Sequence, residues 1–216
     1  MGFDIVTGVG LFLAMLAPFI ILAIKHTTRT DPFARWPRIA FWFLFLSIIA
    51  IVLWWEQRPL SSVGIVPLTA ESIGVGLVAG ILISFIFPLM QVILEKFRLA
   101  DYGYGPAQIF AQPFWSRVEM VLQAGIIEEM LYRSFAIERV SELTGSLWVG
   151  ALIPLVFFTL AHVRLWGSGH LITVLVVGSL FTLLYVWHRD VVMCMIAHIV
   201  VDGIGFLVVP LIAQRL

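Results

Sequence analysis

Two adjacent carboxylates, Glu128 and Glu129, lie near the middle of a long apolar stretch of the chain. An ionisable residue at the centre of a membrane-spanning helix costs roughly 2.5–3.5 kcal/mol even on lenient insertion scales. Glu129 and Arg133 are four residues apart, so they share one helix face and can form an ion pair. Glu128 points about 100° away, towards the face of Tyr132, and lacks such a partner. Burial disfavours the charged form of an unpaired carboxylate, which fits Glu128 for general base catalysis near neutral pH.

Two histidines lie in later apolar stretches. His162 follows Phe158 by one helical turn, whereas His198 and Asp202 are spaced i and i+4 and project from one helix face. Taken singly, each motif has a structural alternative: an ion pair between helices, an interfacial histidine, or a hydrogen-bonded pair that locks helix packing. Taken together, the motifs predict ionisable groups gathered inside a bundle, which is typical of a membrane active site or ion path. No role is assigned to the remaining histidines, which fit loops: His26, His170 and His188.

The composition indicates what must hold these groups in place. Hydrophobic residues make up 61% of the 216 residues and charged residues 12%, whereas soluble domains carry about 25% charged residues. The high apolar and low charged fractions exclude a soluble globular domain and a disordered chain. They also exclude a nucleic-acid binder, because its basic surface would appear in the charge count. The sequence therefore predicts an all-α, polytopic transmembrane helix bundle that forms a single integral membrane domain over residues 1–216.

Hydropathy predicts about seven spans, each long enough to cross a bilayer. Their approximate ranges are 5–24, 36–55, 70–94, 115–140, 145–163, 170–187 and 190–212. The segment 101–114 would give an eighth helix, but its glycines and proline favour an interfacial or re-entrant segment. Within the third span, Gly76 and Gly80 have the spacing that allows two helices to pack closely.

Basic residues in the connections predict the orientation, because cytoplasmic loops carry an excess of Lys and Arg. One side of the predicted bundle has Lys25, Arg29, Arg35, Arg38, Lys96, Arg98, Arg117, Arg164 and Arg215. The other side has only Arg58, Arg139 and Arg189. The asymmetry predicts a multi-pass protein of the cell (inner) membrane, with its N-terminus outside and its C-terminus in the cytoplasm.

The three motifs together resemble a known family. Glu128-Glu129 with Arg133 gives E-E-x-x-x-R, Phe158 with His162 gives F-x-x-x-H, and His198 with Asp202 gives H-x-x-x-D. In this order, on separate apolar helices, they resemble the CAAX protease and bacteriocin-processing family of intramembrane endopeptidases, also called the Abi family. The Ras-converting CAAX protease belongs to it. The resemblance covers about residues 115–205, the expected catalytic core.

The resemblance implies a peptide-bond hydrolase whose substrate is a membrane-associated protein or peptide. It implies that Glu128 is the general base and that His162 shares the attacking water. His198 would stabilise the tetrahedral intermediate with Asp202 as its orienter, while Glu129, Arg133 and Phe158 would support the site. The resemblance departs at the last motif position, where CAAX-cleaving enzymes usually carry Asn. Ionised Asp202 cannot donate a hydrogen bond to an oxyanion as Asn can, which leaves the substrate type open.

A zinc-dependent version of the same protease is the first alternative. In it, His162, His198 and Glu128 would bind Zn²⁺, a ligand set like that of soluble metalloproteases. The sequence lacks the H-E-x-x-H motif, and the resemblance to a glutamate-type mechanism favours a reaction without a cofactor.

Two further function classes remain open for the sequence. A non-enzymatic bacteriocin-immunity or scaffold protein of the membrane would keep these residues as packing elements. A proton-coupled transporter could use a buried Glu and His, but transporters usually show internal repeats, and this sequence has none that we detect. The partners expected in the enzymatic case are the lipid bilayer and a membrane-associated substrate, with no nucleic acid.

Overall fold

The computed structural model describes residues 5–27, 35–103, 105–163 and 166–213. These described residues form helices and connecting turns, and none of them forms a β-strand. We number them α1 to α9 and count α and π segments that continue one another as one helix. α1 comprises Ile5–Leu11, the π turn Phe12–Leu16 and Ala17–Thr27; α2 comprises Arg35–Ala50 and the π turn Ile51–Trp55; α3 is Ala70–Ser84; α4 is Ile86–Lys96. α5 is Gly105–Phe110; α6 comprises Phe114–Glu128, the π segment Glu129–Ala136 and Ile137–Thr144; α7 is Leu147–Ala161; α8 is Ser168–His188; α9 comprises Val191–Gly203, the π turn Ile204–Val208 and Val209–Ala213.

The predicted helical membrane bundle is confirmed. In the described part of the chain, 5 helical stretches are long and apolar enough to cross a membrane: Ile5–Ile24, Trp36–Trp55, Ala70–Lys96, Ser168–His188 and Val191–Ile212. The other two predicted spans are helices of a different kind. α7 is apolar but has only 15 residues, and α6 is long but carries charged side chains along its length. α5 has 6 residues and is too short to form an eighth span.

A tight turn joins α6 to α7 and makes them antiparallel neighbours. Gly145 ends α6 with a φ of +67°, a left-handed conformation that glycine adopts without steric cost. Ser146 then caps α7, because its side chain accepts a hydrogen bond from the backbone N–H of Val149. The carboxylate pair of α6 and His162, which follows α7, are thereby brought to adjacent helices.

Close packing of α3 fixes the position of α9, which carries His198 and Asp202. A Cβ atom on Gly76 would lie 2.8 Å from the carbonyl oxygen of Met193, and one on Gly80 would lie 2.7 Å from that of Ala197. Any larger residue at these two glycines would push the helices apart. The two glycines thus have the packing role that their spacing predicts.

Polar contacts identify the two ends of the bundle. At one end, the Oγ of Ser72 donates to Asp190 at 2.5 Å, and the backbone N–H of Val191 donates to the Gly64 carbonyl at 2.9 Å. At the other end, Asp101 accepts hydrogen bonds from the backbone N–H groups of Ser168 and His170. We call these the Asp190 end and the Asp101 end.

Six basic residues that the sequence places in the connections lie within helices: Lys25, Arg35, Arg38, Lys96, Arg117 and Arg139. α6 extends to Thr144, beyond the predicted limit at 140, so Arg139 lies within the helix and its side chain is fully buried at the Asp190 end. The sequence does not reveal this burial, because Glu138, Arg139 and Glu142 interrupt the apolar pattern at the end of α6. Three other residues of that argument lie outside the described residues: Arg29, Arg164 and Arg215.

Candidate active site

The two carboxylates of α6 lie where the helix changes its winding. Glu128 is the last residue of the α-helical part and Glu129 the first of the π segment Glu129–Ala136. All eight residues of this segment are buried. Such π segments inside α-helices frequently occur at functional sites, since the extra residue redirects the side chains that follow.

Glu129 is held by two cationic or proton-donating partners. Arg133 Nη1 lies 3.1 Å from Glu129 Oε1, and His198 Nδ1 lies 2.7 Å from the same oxygen. The side chains of Glu129 and Arg133 are 0% and 1% exposed. Arg133 also donates to the Gly178 carbonyl at 3.3 Å and lies 4.0 Å over the Phe158 ring. The predicted i, i+4 pair therefore exists and is dry.

His198 lies between two carboxylates. Its Nδ1 bonds to Glu129, and its Nε2 lies 3.6 Å from Asp202 Oδ2. The imidazole is stacked on Phe181 at 4.9 Å between ring centroids. The i, i+4 spacing of His198 and Asp202 predicts their proximity, but the shorter bond to Glu129 joins two distant segments and was not anticipated. An imidazole can donate to both carboxylates only in its doubly protonated form.

His162 lies just beyond the last residue of α7, and its orientation is fixed from within that helix. Its Nδ1 is 2.8 Å from the carbonyl oxygen of Phe158, and the two rings contact each other at 4.8 Å. Because a carbonyl oxygen only accepts, Nδ1 must carry the proton and Nε2 of the neutral ring is then an acceptor. Phe158, identified from its spacing alone, thus sets both the position and the tautomer of His162.

One cavity of about 260 Å³ is lined by Glu128, His162, His198 and Asp202, the four predicted catalytic residues. No hydrogen bond or ion pair from the described residues reaches the Glu128 carboxylate, which faces this space with only longer-range electrostatic neighbours. Phe158 also lines the cavity, while Glu129 and Arg133 lie behind its wall. Two neighbouring glutamates therefore have opposite environments: one is enclosed and bonded, the other open and unbonded.

The assignment of His170 to a loop was wrong. It is the third residue of α8, and it lines the cavity together with Trp166, on which it stacks at 3.9 Å. His188, the last residue of α8, and the backbone of His26 in α1 are also helical. Only the Trp-x-x-x-His spacing of Trp166 and His170 could have indicated their contact, and that spacing is too common to be diagnostic.

The three residues of the zinc alternative have different partners in the structure. Among the described residues, no group of three or more His, Cys, Asp or Glu side chains is arranged to hold a metal ion. Both nitrogens of His198 face carboxylates, and Nδ1 of His162 is bonded to a backbone carbonyl. Zn²⁺ would need a His198 nitrogen released from its carboxylate, together with Nε2 of His162 and the Glu128 carboxylate. The bond from His162 Nδ1 to a carbonyl is compatible with either alternative.

Comparison with known families identifies the second half of the chain. Residues 110–204 match the family model described as Type II CAAX prenyl endopeptidase Rce1-like. We call this matched region the Rce1-like domain. This Rce1-like domain runs from the end of α5 into α9 and contains all seven residues of the three motifs. Searches of curated proteins and of solved structures gave no match.

The Rce1-like domain supports, in general terms, a CAAX-type intramembrane protease, a hydrolase that acts on peptide bonds. Together with the apolar helices, it indicates a multi-pass membrane protein with a peptide or protein substrate in the membrane. The resemblance seen in the sequence is thus confirmed at the level of the family.

Proposed function

We propose that this protein is an intramembrane endopeptidase that hydrolyses a membrane-associated protein or peptide with a water activated by Glu128 and His162. The observation that carries the proposal is the Glu128 carboxylate, which is unbonded and faces a cavity beside an oriented imidazole. A structural carboxylate would be expected to have a bonded partner, as Glu129 has.

Water activation follows from the proton positions. Nε2 of His162 accepts a hydrogen bond because Nδ1–H is donated to Phe158. A water held between this nitrogen and the Glu128 carboxylate can lose a proton to Glu128 as its oxygen attacks the peptide carbonyl. General base catalysis of this kind typically contributes about 10²–10⁴-fold to the rate.

The developing oxyanion needs a hydrogen-bond donor, and His198 can supply it. Its Nε2 is 3.6 Å from Asp202, longer than an ordinary hydrogen bond, so this N–H can donate to an oxyanion that forms beside it. Asp202 then orients the ring, and Glu129 fixes it from the other nitrogen at 2.7 Å. Glu129 and Arg133 are positioning residues in this scheme, since neither lines the cavity.

The proposed reaction needs no metal. Both nitrogens of His198 face carboxylates, and in this scheme Glu128 and His162 activate the water by themselves. No specific contact favours a scaffold or immunity protein over a protease, and the Rce1-like domain belongs to an endopeptidase family.

The proposed site opens to the cytoplasm. Trp166 and His170 line the cavity, and they lie at the Asp101 end, which the excess of basic loop residues assigns to the cytoplasm. Single cysteines at Ala124 and Ala161, which line the cavity beside Glu128 and His162, should react with a polar thiol reagent added from the cytoplasmic side. Cys194 is buried and serves as the background. Labelling from the other side alone would contradict the orientation.

The test of the function is a Glu128-dependent cleavage in native membranes. New protein N-termini are labelled in host membrane vesicles that contain the wild-type chain, Glu128→Gln or Glu119→Gln. Glu119 lies on the same helix, but its side chain is 53% exposed and pairs with Arg38. We expect at least one cleavage with wild type and Glu119→Gln that disappears with Glu128→Gln. Identical N-termini in all three samples would refute a protease that uses Glu128.

A further inference from the structure

A second cavity of about 630 Å³ adjoins the candidate active site at the Asp101 end. Six residues line both cavities and so form a shared wall: Phe87, Trp166, His170, Val201, Asp202 and Phe206. Pockets that enclose a ligand usually measure roughly 300–1,000 Å³. The first cavity, at about 260 Å³, is too small to hold several residues of a peptide, whereas the two together are large enough.

The shared wall is mostly apolar and contains one imidazole, that of His170, which has no part in the proposed catalytic scheme. Asp202 already faces His198, but no hydrogen bond from the described residues reaches the ring nitrogens of His170. These nitrogens are also absent from the fully enclosed polar atoms that lack a partner, so they face open space. A polar group in this situation normally has a ligand or water as its partner.

The imidazole is nevertheless rigidly placed. Its ring is parallel to the indole of Trp166 within 14° and contacts Phe87 at 6.4 Å. Its backbone N–H donates to the carbonyl of Asp101 at 3.1 Å. The indole is itself fixed by Gly105, where a Cβ atom would lie 2.5 Å from the ring. A fixed ring with open nitrogens is pre-organised for a hydrogen bond, because little conformational freedom is lost on binding.

We propose that His170 is a positioning residue that hydrogen-bonds the main chain of the peptide substrate where it passes between the two cavities. The inference rests on the proposed function. Every peptide unit offers a donor and an acceptor, and imidazole can pair with either. The second cavity then receives apolar side chains on one side of the scissile bond, while Glu128 and His162 face the bond itself.

Direct binding of a defined peptide tests this without cleavage. The probe is the capped tripeptide acetyl-Leu-Leu-Leu-amide, titrated calorimetrically into the full chain in detergent. Four variants are compared with wild type: His170→Phe, His170→Gln, His170→Asn and the control His188→Phe. Phe keeps the stacked ring and removes only the nitrogens, whereas Gln and Asn each restore a hydrogen-bonding group near one ring nitrogen. His188 lies on the same helix but at the exposed opposite end.

We expect His170→Phe to weaken Kd about tenfold, as loss of one hydrogen bond does, with an unchanged Tm. Gln or Asn should recover part of the loss, and His188→Phe should bind as wild type does. In cleavage assays of a peptide covering an identified site, His170→Phe should raise KM and leave kcat within about twofold, since the ring contributes positioning and not proton transfer.

If the stacked ring of His170 had a purely structural role, His170→Phe would bind the tripeptide as tightly as wild type does. That result would overturn the proposal. So would failure of the wild-type chain to bind the tripeptide. If His170→Phe folds poorly, His170→Met provides the same loss of nitrogens. Glu128→Gln should still bind the tripeptide, so a chain that binds through His170 but never cleaves would refute the proposed function and not this inference.

Discussion

Two clusters of charged side chains lie along helix α6, and they differ in how their carboxylates are bonded. The cavity cluster consists of Glu128, Glu129, Arg133, His198 and Asp202. The end cluster, at the Asp190 end, consists of Glu56, Arg58, Glu138, Arg139, Glu142, Tyr185 and Arg189. In the end cluster every carboxylate has a hydrogen-bonded partner, whereas in the cavity cluster Glu128 has none among the described residues.

The end cluster shows what a structural charge network looks like in this protein. Arg139 is fully buried and forms a fork on Glu56, with Nη2 at 2.5 Å from Oε2 and Nε at 3.0 Å. Glu138 accepts from the hydroxyl of Tyr185 at 2.6 Å and from Arg189 at 2.7 Å. Buried charge is therefore insufficient to identify a reactive site. An unbonded carboxylate on a cavity is the more specific feature.

The largest stability effect is expected from the enclosed pair of the cavity cluster. Glu129→Ala or Arg133→Ala leaves an unpaired buried charge and should lower the free energy of unfolding by about 3–5 kcal/mol. The double variant should lose less than the sum of the two, because the second change removes the charge that the first left unpaired. Strict additivity in detergent unfolding would show that the two residues do not stabilise each other.

The end cluster should separate stability from activity. Arg139→Met removes the partner of Glu56 and should cost about 3 kcal/mol, at the lower end of the range for broken buried pairs. Glu56 keeps a weak contact with Thr7 at 3.4 Å, which limits the loss. The rate per folded molecule should stay within about twofold of wild type, because the end cluster does not line the cavity. A hundredfold loss of rate in well-folded Arg139→Met would remove the distinction between the clusters.

A smaller effect is expected from Tyr185→Phe, which deletes one hydroxyl that donates to Glu138 at 2.6 Å. Hydrogen bonds to charged groups contribute about 1.5–3 kcal/mol, and Glu138 retains Arg189 at 2.7 Å. We therefore expect a loss near the lower limit, about 1.5 kcal/mol, with unchanged cleavage. A loss as large as that of Arg139→Met would mean that Tyr185, and not Arg189, is the main partner of Glu138.

The smallest effect should come from the exposed pair of Arg58 and Glu142, whose side chains are each 38% exposed. The hydrogen bond from Arg58 lowers the pKa of Glu142 against the opposing effect of its partial burial. Because the pKa of this carboxyl is lower in the folded state, its ionised form stabilises the fold at a pH above the unfolded-state pKa near 4.3. This stabilisation is lost as the pH falls through the folded-state pKa. Glu142→Gln should thus cost less than about 1 kcal/mol at pH 7 and nothing well below pH 4. An equal loss at both pH values would exclude this ion pair as the cause.

Much of this arrangement could be predicted from local spacing in the sequence. Apolar stretches predict the membrane-spanning helices. The i, i+4 spacing predicts three pairs that the structure contains: Glu129–Arg133, Phe158–His162 and His198–Asp202. Each of these contacts lies within one or two helical turns, where helix geometry alone determines proximity.

Contacts between distant segments could not be predicted in the same way. The bond from His198 to Glu129 spans 69 residues and that from Arg139 to Glu56 spans 83. Such pairs depend on how the helices pack, for which one sequence contains no direct signal. The same limitation explains why the sequence places His170 in a loop and treats Arg58, Arg139 and Arg189 as separate loop residues.

The most direct test of the division between Glu128 and Glu129 compares Glu128→Gln with Glu129→Gln in one assay of cleavage and unfolding. Glu128→Gln should retain the wild-type Tm and lose about 10²–10⁴-fold in the cleavage rate. Glu129→Gln should lower the Tm, because the amide leaves Arg133 without its anionic partner, and should retain measurable cleavage in the fraction that folds. A Glu128→Gln chain that cleaves normally, or one that loses activity only in proportion to its stability, would contradict a catalytic role for Glu128.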